Sequence, residues 1–270
     1  MDLPSRPSRL GERLLWLTLA IALTVALLAV RGVLSGPQAA MGVLPLAAVI
    51  AMGVSRQQSG VFAQPLLRVH TARPELALTF DDGPDPRWTP ALLDLLEAGG
   101  HRATFFVIGA RAAQHTDLLA EIAKRGHELA NHTWSHSYLT VFQSPDTLAR
   151  DLDRTNQVIE AAAGRVPRWF RPPVGLLSPR VPLGVRRAGL ELVAWTATAR
   201  DGVARTSTAE AMARLEPAIV AGAILVMHDA PVAGDRPLIV LELTRQLLGR
   251  METENLVSVT LSELCEPGLR

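Results

Sequence analysis

The stretch Glu75-Leu76-Ala77-Leu78-Thr79-Phe80-Asp81-Asp82-Gly83-Pro84 (ELALTFDDGP, residues 75–84) decides how the chain is read. Its apolar run, Leu76–Phe80, is short and bounded by turn formers, which predicts a buried strand. The strand stops on two adjacent carboxylates. Asp81 and Asp82 repel each other unless a cation or an arginine sits between them, so the pair either serves chemistry or belongs to a plain Asp-Gly-Pro turn. Outward from there, further apolar runs predict strands at Ala103–Ile108, Glu128–Ala130, Trp169–Arg171, Leu192–Thr196, Ala223–Met227 and Val257–Thr260. Helical patterns fall between them at Pro90–Ala98, Leu118–Arg125, Asp146–Ala163, Pro179–Ala188, Thr208–Ala221 and Pro237–Arg250. Strands alternating with amphipathic helices predict an α/β fold with a parallel sheet covered by helices. About seven strands suit a distorted (β/α) barrel, and an open doubly wound sheet competes with it. In both, chemistry gathers at the C-terminal ends of the strands.

Three more strand ends carry polar residues that a core would not choose. His132-Thr133-Trp134-Ser135-His136 spaces two imidazoles four residues apart, so on one helical turn both reach a single metal ion. The plain reading is two surface histidines at a helix start capped by Asn131. With a carboxylate from another strand end, the pair makes a His2Asp set with open coordination positions, as catalytic zinc sites require. Arg171-Pro172-Pro173-Val174-Gly175 is a rigid turn that can present a backbone N–H to an oxyanion, while Arg171 pairs with a carboxylate. Ile224–Asp229 is an apolar strand ending in His228-Asp229, which puts an imidazole where protons are exchanged.

Composition narrows the alternatives. The chain has 270 residues, 48% apolar and 20% charged, with a net charge of +1. That length supplies a large core, and the even charge balance argues against a general nucleic-acid binder. One cysteine, Cys265, excludes an internal disulfide framework and a cysteine-rich zinc module, and its place outside every motif speaks against a catalytic thiol.

The N-terminal 63 residues differ from the rest. Leu14–Val30 is a 17-residue run without a charge, bracketed by Arg13 and Arg31; as a helix it spans roughly 25 Å, the short end of a bilayer crossing. After Ser35-Gly36-Pro37-Gln38 the chain turns apolar again over Ala39–Val54, with Pro45 inside. The preferred reading is a transmembrane helical hairpin (residues 14–30 and 39–54) in a bacterial inner membrane, followed by a catalytic domain over residues 64–270; one anchor with a surface-lying segment is second, and a cleaved signal peptide lacks a clean cleavage site. Arg6, Arg9 and Arg13 precede the first span, Arg31 sits in the connection, and Arg56, Arg68 and Arg73 follow the second. For a hairpin the positive-inside rule places the domain in the cytoplasm; for one crossing it places the domain outside.

TFDDGP, HTWSH, RPPVG and ILVMHD, in that order and with ATFFVIG (103–109) and GHELANH (126–132) beside them, resemble the NodB-homology polysaccharide deacetylases, carbohydrate esterase family four, over roughly Leu76 to Leu264. The resemblance implies a distorted (β/α) barrel that uses a divalent metal to remove N-acetyl groups from chitin, peptidoglycan or other aminoglycans, or O-acetyl groups from xylan. Zinc is the expected ion, with cobalt, manganese or nickel as alternatives. It implies that Asp82, His132 and His136 bind the metal and that Asp81 is the general base, held ionised by Arg171. It further implies that the Val174 N–H stabilises the oxyanion and that His228 is the general acid, oriented by Asp201. The expected partners are an acetylated amino-sugar glycan or a lipid-linked sugar, and a membrane, with no nucleic acid.

The chain departs from that family in three places. Val174 stands where a tyrosine is common, which leaves the backbone N–H intact. In WTATARDG (195–202), Thr198 replaces an acid and Gly202 a tryptophan, reshaping the wall of the acyl pocket. That motivates an alternative, a deformylase or amidase acting on a smaller substrate; a non-catalytic glycan-binding domain of the same fold is the other. Trp88, Trp134 and Tyr138 are candidate groove residues, and Trp169 and Trp195 are assigned to the core. His70, His101, His115 and His127 read as surface or structural, and Arg102 and Arg111 as solvated charges.

Overall fold

The structure is a computed structural model and describes residues 8–202, 206–231 and 239–266. ELALTFDDGP supplies the central strand β1 (Glu75–Asp81), one residue longer at each end than its apolar run. It is followed by α3 (Thr89–Ala98), β2 (Ala103–Val107), α4 (Gly109–Ala112), α5 (Thr116–Lys124), β3 (Glu128–Asn131), α6 (Pro145–Ala163), β4 (Trp169–Phe170) and α7 (Val181–Arg187). The chain continues through β5 (Glu191–Leu192), β6 (Ala197–Thr198), α8 (Thr208–Leu215), β7 (Ile224–His228), α9 (Val240–Thr253), β8 (Val257–Ser258) and α10 (Leu261–Cys265). Two helices, α1 (Arg9–Val30) and α2 (Gly36–Ser55), precede them all.

Among the described residues, seven strands run in the order β5-β4-β3-β2-β1-β7-β6, and β8 pairs with the start of β1. All the strand pairs are parallel. Consecutive strands β5 and β6 lie at opposite edges, so the sheet curls until its edges face each other across residues 193–196. Residues 66–68 fill that join: Leu66 N donates to Leu192 O (2.9 Å), Ala194 N to Leu66 O (2.9 Å) and Thr196 Oγ1 to Leu67 O (2.8 Å). This is the distorted barrel expected from the sequence. The single strand expected over Leu192–Thr196 is instead mostly the crossing between two short ones, since β5 ends at Leu192 and β6 begins only at Ala197, because the chain must step from one edge to the other there.

The period-2 alternation of β1 sorts its side chains. Leu76, Leu78 and Phe80 face the helices, packing with Leu92 and Leu96 of α3, Phe105 of β2 and Leu243 and Leu247 of α9. Ala77 faces the barrel interior with Phe106, Ala130, Trp169, Val193 and Ile224, closed below by Leu261 and Leu264 of α10. The same inward face carries Thr79 and Asp81, so it turns from apolar to ionisable as it approaches the strand end.

Helix ends follow their sequence signals. Ser144 caps α6, Pro145 opens it, and Gly164 ends it in the left-handed region. The helix expected to continue to Ala221 stops at Leu215, where Pro217 forces a short 3-10 turn over Glu216–Ala218. Helix α9 is described from Val240; Pro237 and Leu238, and Arg6 at the other end of the chain, lie outside the described residues.

Helices α1 and α2 lie antiparallel, with Gly42 packed directly on Val25. By length and composition both are able to cross a membrane. They meet the barrel where Leu15, Val49, Met52 and Val54 pack against the cluster of Val61, Phe62, Phe170 and Leu177. Val61 to Ala63 are themselves buried in this cluster.

Candidate active site

Arg171 organises the mouth of the barrel. It leaves the end of β4 fully buried, its guanidinium over the Phe106 ring at 4.0 Å from the centroid. Its Nη1 donates to Asp81 Oδ1 (2.6 Å) and Thr79 Oγ1 (2.9 Å), and Nη2 to Ala194 O (3.0 Å). One arginine thus ties β1, β4 and the β5–β6 crossing together and fixes the Asp81 carboxylate from one side.

Asp82 turns away from that pair because its φ is 79°, a left-handed conformation that aspartate tolerates better than most residues. Its carboxylate is buried and neither oxygen has a hydrogen-bond partner. His132 Nε2 and His136 Nε2 face Asp82 Oδ1 at 3.5 and 3.3 Å, and the ligand atoms of the three residues lie within 4.8 Å of one another. Burial alone would raise the Asp82 pKa, but His132, His228 and His136 around it hold it at about 2. Burial, helped by His132, pushes His136 down to about 4, leaving a neutral imidazole at neutral pH. His132 Nδ1–H donates to Arg171 O (2.7 Å), which turns Nε2 toward Asp82. A buried, orphaned carboxylate facing two imidazole nitrogens, one oriented through its other nitrogen, is the donor set of a divalent metal centre, and these residues fit one.

The two histidines do not sit on a helical turn. Residues 132–137 form an irregular loop in which Thr133 (φ 67°) and His136 (φ 53°) are left-handed. Asn131 holds the loop rather than capping a helix: Oδ1 accepts from Thr133 N (2.9 Å), and Nδ2 donates to Leu152 O (2.9 Å) and Asn156 Oδ1 (2.7 Å). The sequence offered Asn131 as a helix cap and not as this anchor.

Across the mouth, Asp201 receives two bonds from His228, from Nδ1 (2.7 Å) and the backbone N–H (3.0 Å). Burial opposes protonation of His228, but the charge and hydrogen bond of Asp201 raise its pKa to about 10. Gly202 lies against the face of this imidazole, where a Cβ would come within 3.0 Å of the ring. A side chain at this position would therefore press on His228. Val174 is left-handed (φ 55°), rare for a β-branched residue, in a 3-10 turn over Pro173–Gly175.

Other assignments change. Arg111 donates to Asp82 O (2.9 Å) and Pro231 O (2.6 Å), clamping the ligand loop instead of facing water. Arg102 forks onto Glu263 (2.6 and 3.0 Å). Trp134 packs between Gly109 and Arg154, whose guanidinium lies 3.4 Å from its ring, so it serves α6 more than a groove. Trp195 is half-buried beside Gly175 rather than in a strand, whereas Trp169 is core. His101 and His127 accept backbone N–H bonds from Ser258 and Ala103 and are structural. Asp229, given no role from sequence, accepts from Thr89 Oγ1 (2.6 Å) under Gly83, and burial raises its pKa to about 7.

Comparison with known proteins gives this chain a family. A family profile described as Polysaccharide deacetylase matches residues 68–193. A chitooligosaccharide deacetylase of a Bradyrhizobium strain is 35% identical over 158 residues, covering 58% of this chain and 72% of its own. The chain belongs to the polysaccharide deacetylase family. A Bacillus cereus peptidoglycan-N-acetylglucosamine deacetylase is 34% identical over 191 residues, 70% of this chain and 87% of its own. Among solved structures, a family 4 acetyl xylan esterase from Clostridium thermocellum in complex with a cobalt ion superposes with a TM-score of 0.64 at 32% identity, covering 70% of this chain and 89% of that one. As a polysaccharide deacetylase the protein is a hydrolase, and the family acts on N-acetyl amide bonds.

Proposed function

We propose that this polysaccharide deacetylase is a membrane-anchored, metal-dependent N-deacetylase that acts on an acetylated amino sugar in a glycan or lipid-linked glycan precursor. The observation that carries the reading is the buried Asp82 carboxylate, without hydrogen-bond partners, facing His132 and His136 between the Asp81–Arg171 and His228–Asp201 pairs.

Asp82, His132 and His136 hold the metal, which we assign as zinc from the two-nitrogen, one-oxygen donor set. Bound there, such an ion supplies a water of pKa roughly 7 and polarises the acyl carbonyl. Asp81, oriented by Arg171, accepts the proton of the attacking water as its oxygen bonds to the amide carbon. The Val174 N–H donates to the oxygen that becomes negative, a contribution of about 2.7–4 kcal/mol for one such donor. His228, its Nδ1 tied to Asp201, delivers a proton to the departing nitrogen, without which the tetrahedral species reverts to amide. The C–N bond then breaks to give a free amine and acetate.

The apolar helices and the arginine pattern support the anchor. Both the start of α1 and the end of α2 lie at the barrel, beside Arg9, Arg13 and Arg56, whereas Arg31 alone marks the far turn. By the positive-inside rule the domain is cytoplasmic. The test is zinc content and acetate release by the full-length protein before and after chelation. Loss of both on chelation, return of both with zinc, and no zinc in His132→Ala are expected; full activity without metal overturns the reading.

A further inference from the structure

The hairpin seats on the active-site end of the barrel. Leu177 N donates to Val54 O (3.0 Å), and the Gln57 side chain, 3% exposed, presses on Gly175 of the turn that carries Val174. Both contacts are made by the loop that follows β4, which leaves the C-terminal end of the sheet where Asp81, Asp82 and His228 gather. The mouth and the two apolar helices therefore share a face.

The rim between them is apolar and exposed. Residues Tyr138–Phe142 form a 3-10 turn directly after the metal-ligand loop, in contact with the turn at Pro173–Gly175. It buries Thr140 and Val141 and points Tyr138 (54% exposed), Leu139 (68%) and Phe142 (72%) outward, next to Val174 (60%). The Tyr138 ring lies edge-on to His136, 5.8 Å between centroids. The far side of the rim is tied to the hairpin seat, since Arg180, three residues beyond Leu177, donates to Phe142 O (3.1 Å). The apolar surface thus continues from the end of α2 to the lip of the metal site. Exposed leucine and phenylalanine beside a tyrosine suit the boundary of a bilayer, where apolar side chains enter the acyl region and a phenol stays at headgroup level.

We infer that this rim rests in the bilayer interface and that the substrate is an N-acyl amino sugar carried on a membrane lipid, presented to the metal site from the membrane plane. The inference rests on the anchored deacetylase reading above. With the mouth toward the lipid, the sugar of a polyprenyl-linked substrate lies at the level of Asp82 while its lipid stays in the membrane. A long soluble glycan would instead have to thread between barrel and bilayer.

The experiment uses the full-length protein in phosphatidylethanolamine–phosphatidylglycerol vesicles with Cys265→Ser as background. Nitroxide labels at Leu139→Cys, Phe142→Cys and, on the opposite end of the barrel, Glu97→Cys are compared for collision with oxygen and with a water-soluble nickel chelate. Oxygen-dominated collision at 139 and 142 and chelate-dominated collision at 97 are expected; chelate-dominated collision at all three overturns the seat. On the unlabelled, unmutated protein, kcat/KM for polyprenyl-phosphate-linked N-acetylglucosamine is compared with that for soluble N-acetylglucosamine tetramer. At least a tenfold preference for the lipid-linked sugar is expected, and preference for the tetramer overturns the substrate assignment in favour of a glycan groove at Tyr138. If neither substrate releases acetate, the deacetylase reading and the substrate assignment fall together while the labels still decide the seat; if the protein does not float with the vesicles, anchor and seat fall together.

Discussion

Asp201 sets the protonation of His228, and that single contact has a measurable signature. The folded pKa of about 10 lies above the ordinary histidine value of roughly 6.5. The stabilisation it brings is therefore complete below roughly pH 6.5 and is lost as pH rises through about 10. For the acid role proposed for His228 the sign is the same: its proton is present at neutrality and lost only on the alkaline side. Asp201→Asn is predicted to move the alkaline limb of the kcat/KM profile down by at least one pH unit and to cut kcat by roughly 10²-fold, the usual range for a displaced acid. An alkaline limb that stays in place would show that another group supplies the proton. The paired carboxylates and the His-x-x-x-His spacing were legible in the sequence only in combination, because each alone also suits a turn or a pair of surface histidines and it is their order with RPPVG and ILVMHD that singles them out. Arg111 was not legible, because its partners are backbone carbonyls, which leave no trace in side-chain pattern.

At the scale of elements, the loops after β3 and β4 carry the site through conformations that sequence patterns do not report. The spacing of His132 and His136 predicts a helical turn, yet Thr133 and His136 are left-handed, and Asn131 at the end of β3 braces the loop by bonding to α6. In the next loop Val174 and Gly175 are both left-handed, and the position of a Gly175 Cβ is taken by the Gln57 side chain and, at 2.6 Å, by Trp195. Gly175→Ala is predicted to cost about 1–3 kcal/mol in urea unfolding, from the backbone conformation together with the contact, and to lower kcat more than it raises KM. Wild-type stability and kinetics in that variant would detach the turn from the oxyanion. The edge of β2 offers a pH test. Burial holds His127, whose Nδ1 accepts from Ala103 N, down to about 4. Because that value lies below the unfolded one, stability is full above roughly pH 6.5 and falls as the pH drops toward 4. His127→Asn should flatten the decline of the urea midpoint across that window.

For the whole molecule, the parallel α/β architecture followed from alternation alone, whereas the closure of the barrel did not. The chain uses the run after Leu192 as a step between β5 and β6 on opposite edges and fills the join with residues 66–68. The residues just before that segment explain why the hairpin and barrel are not simply strung together. Val61 and Phe62 are buried against Phe170 and Leu177, so a chain beginning at Gln64 loses two large apolar side chains from the core. At about 1.5–3 kcal/mol per side chain, it should melt several degrees below one beginning at Ser55, as differential scanning fluorimetry would show. Equal melting temperatures would mean that the cluster contributes nothing to the barrel. The central claim is that these loops assemble a hydrolytic metal centre with Asp81 as its base. Its most direct test is acetate release from N-acetylglucosamine substrates by zinc-loaded full-length protein, beside Asp81→Asn carrying the same zinc. The account predicts acetate and free amine in equal amounts, with a drop of about 10²–10⁴ in the variant. No acetate from either protein, or equal release by both, would contradict it.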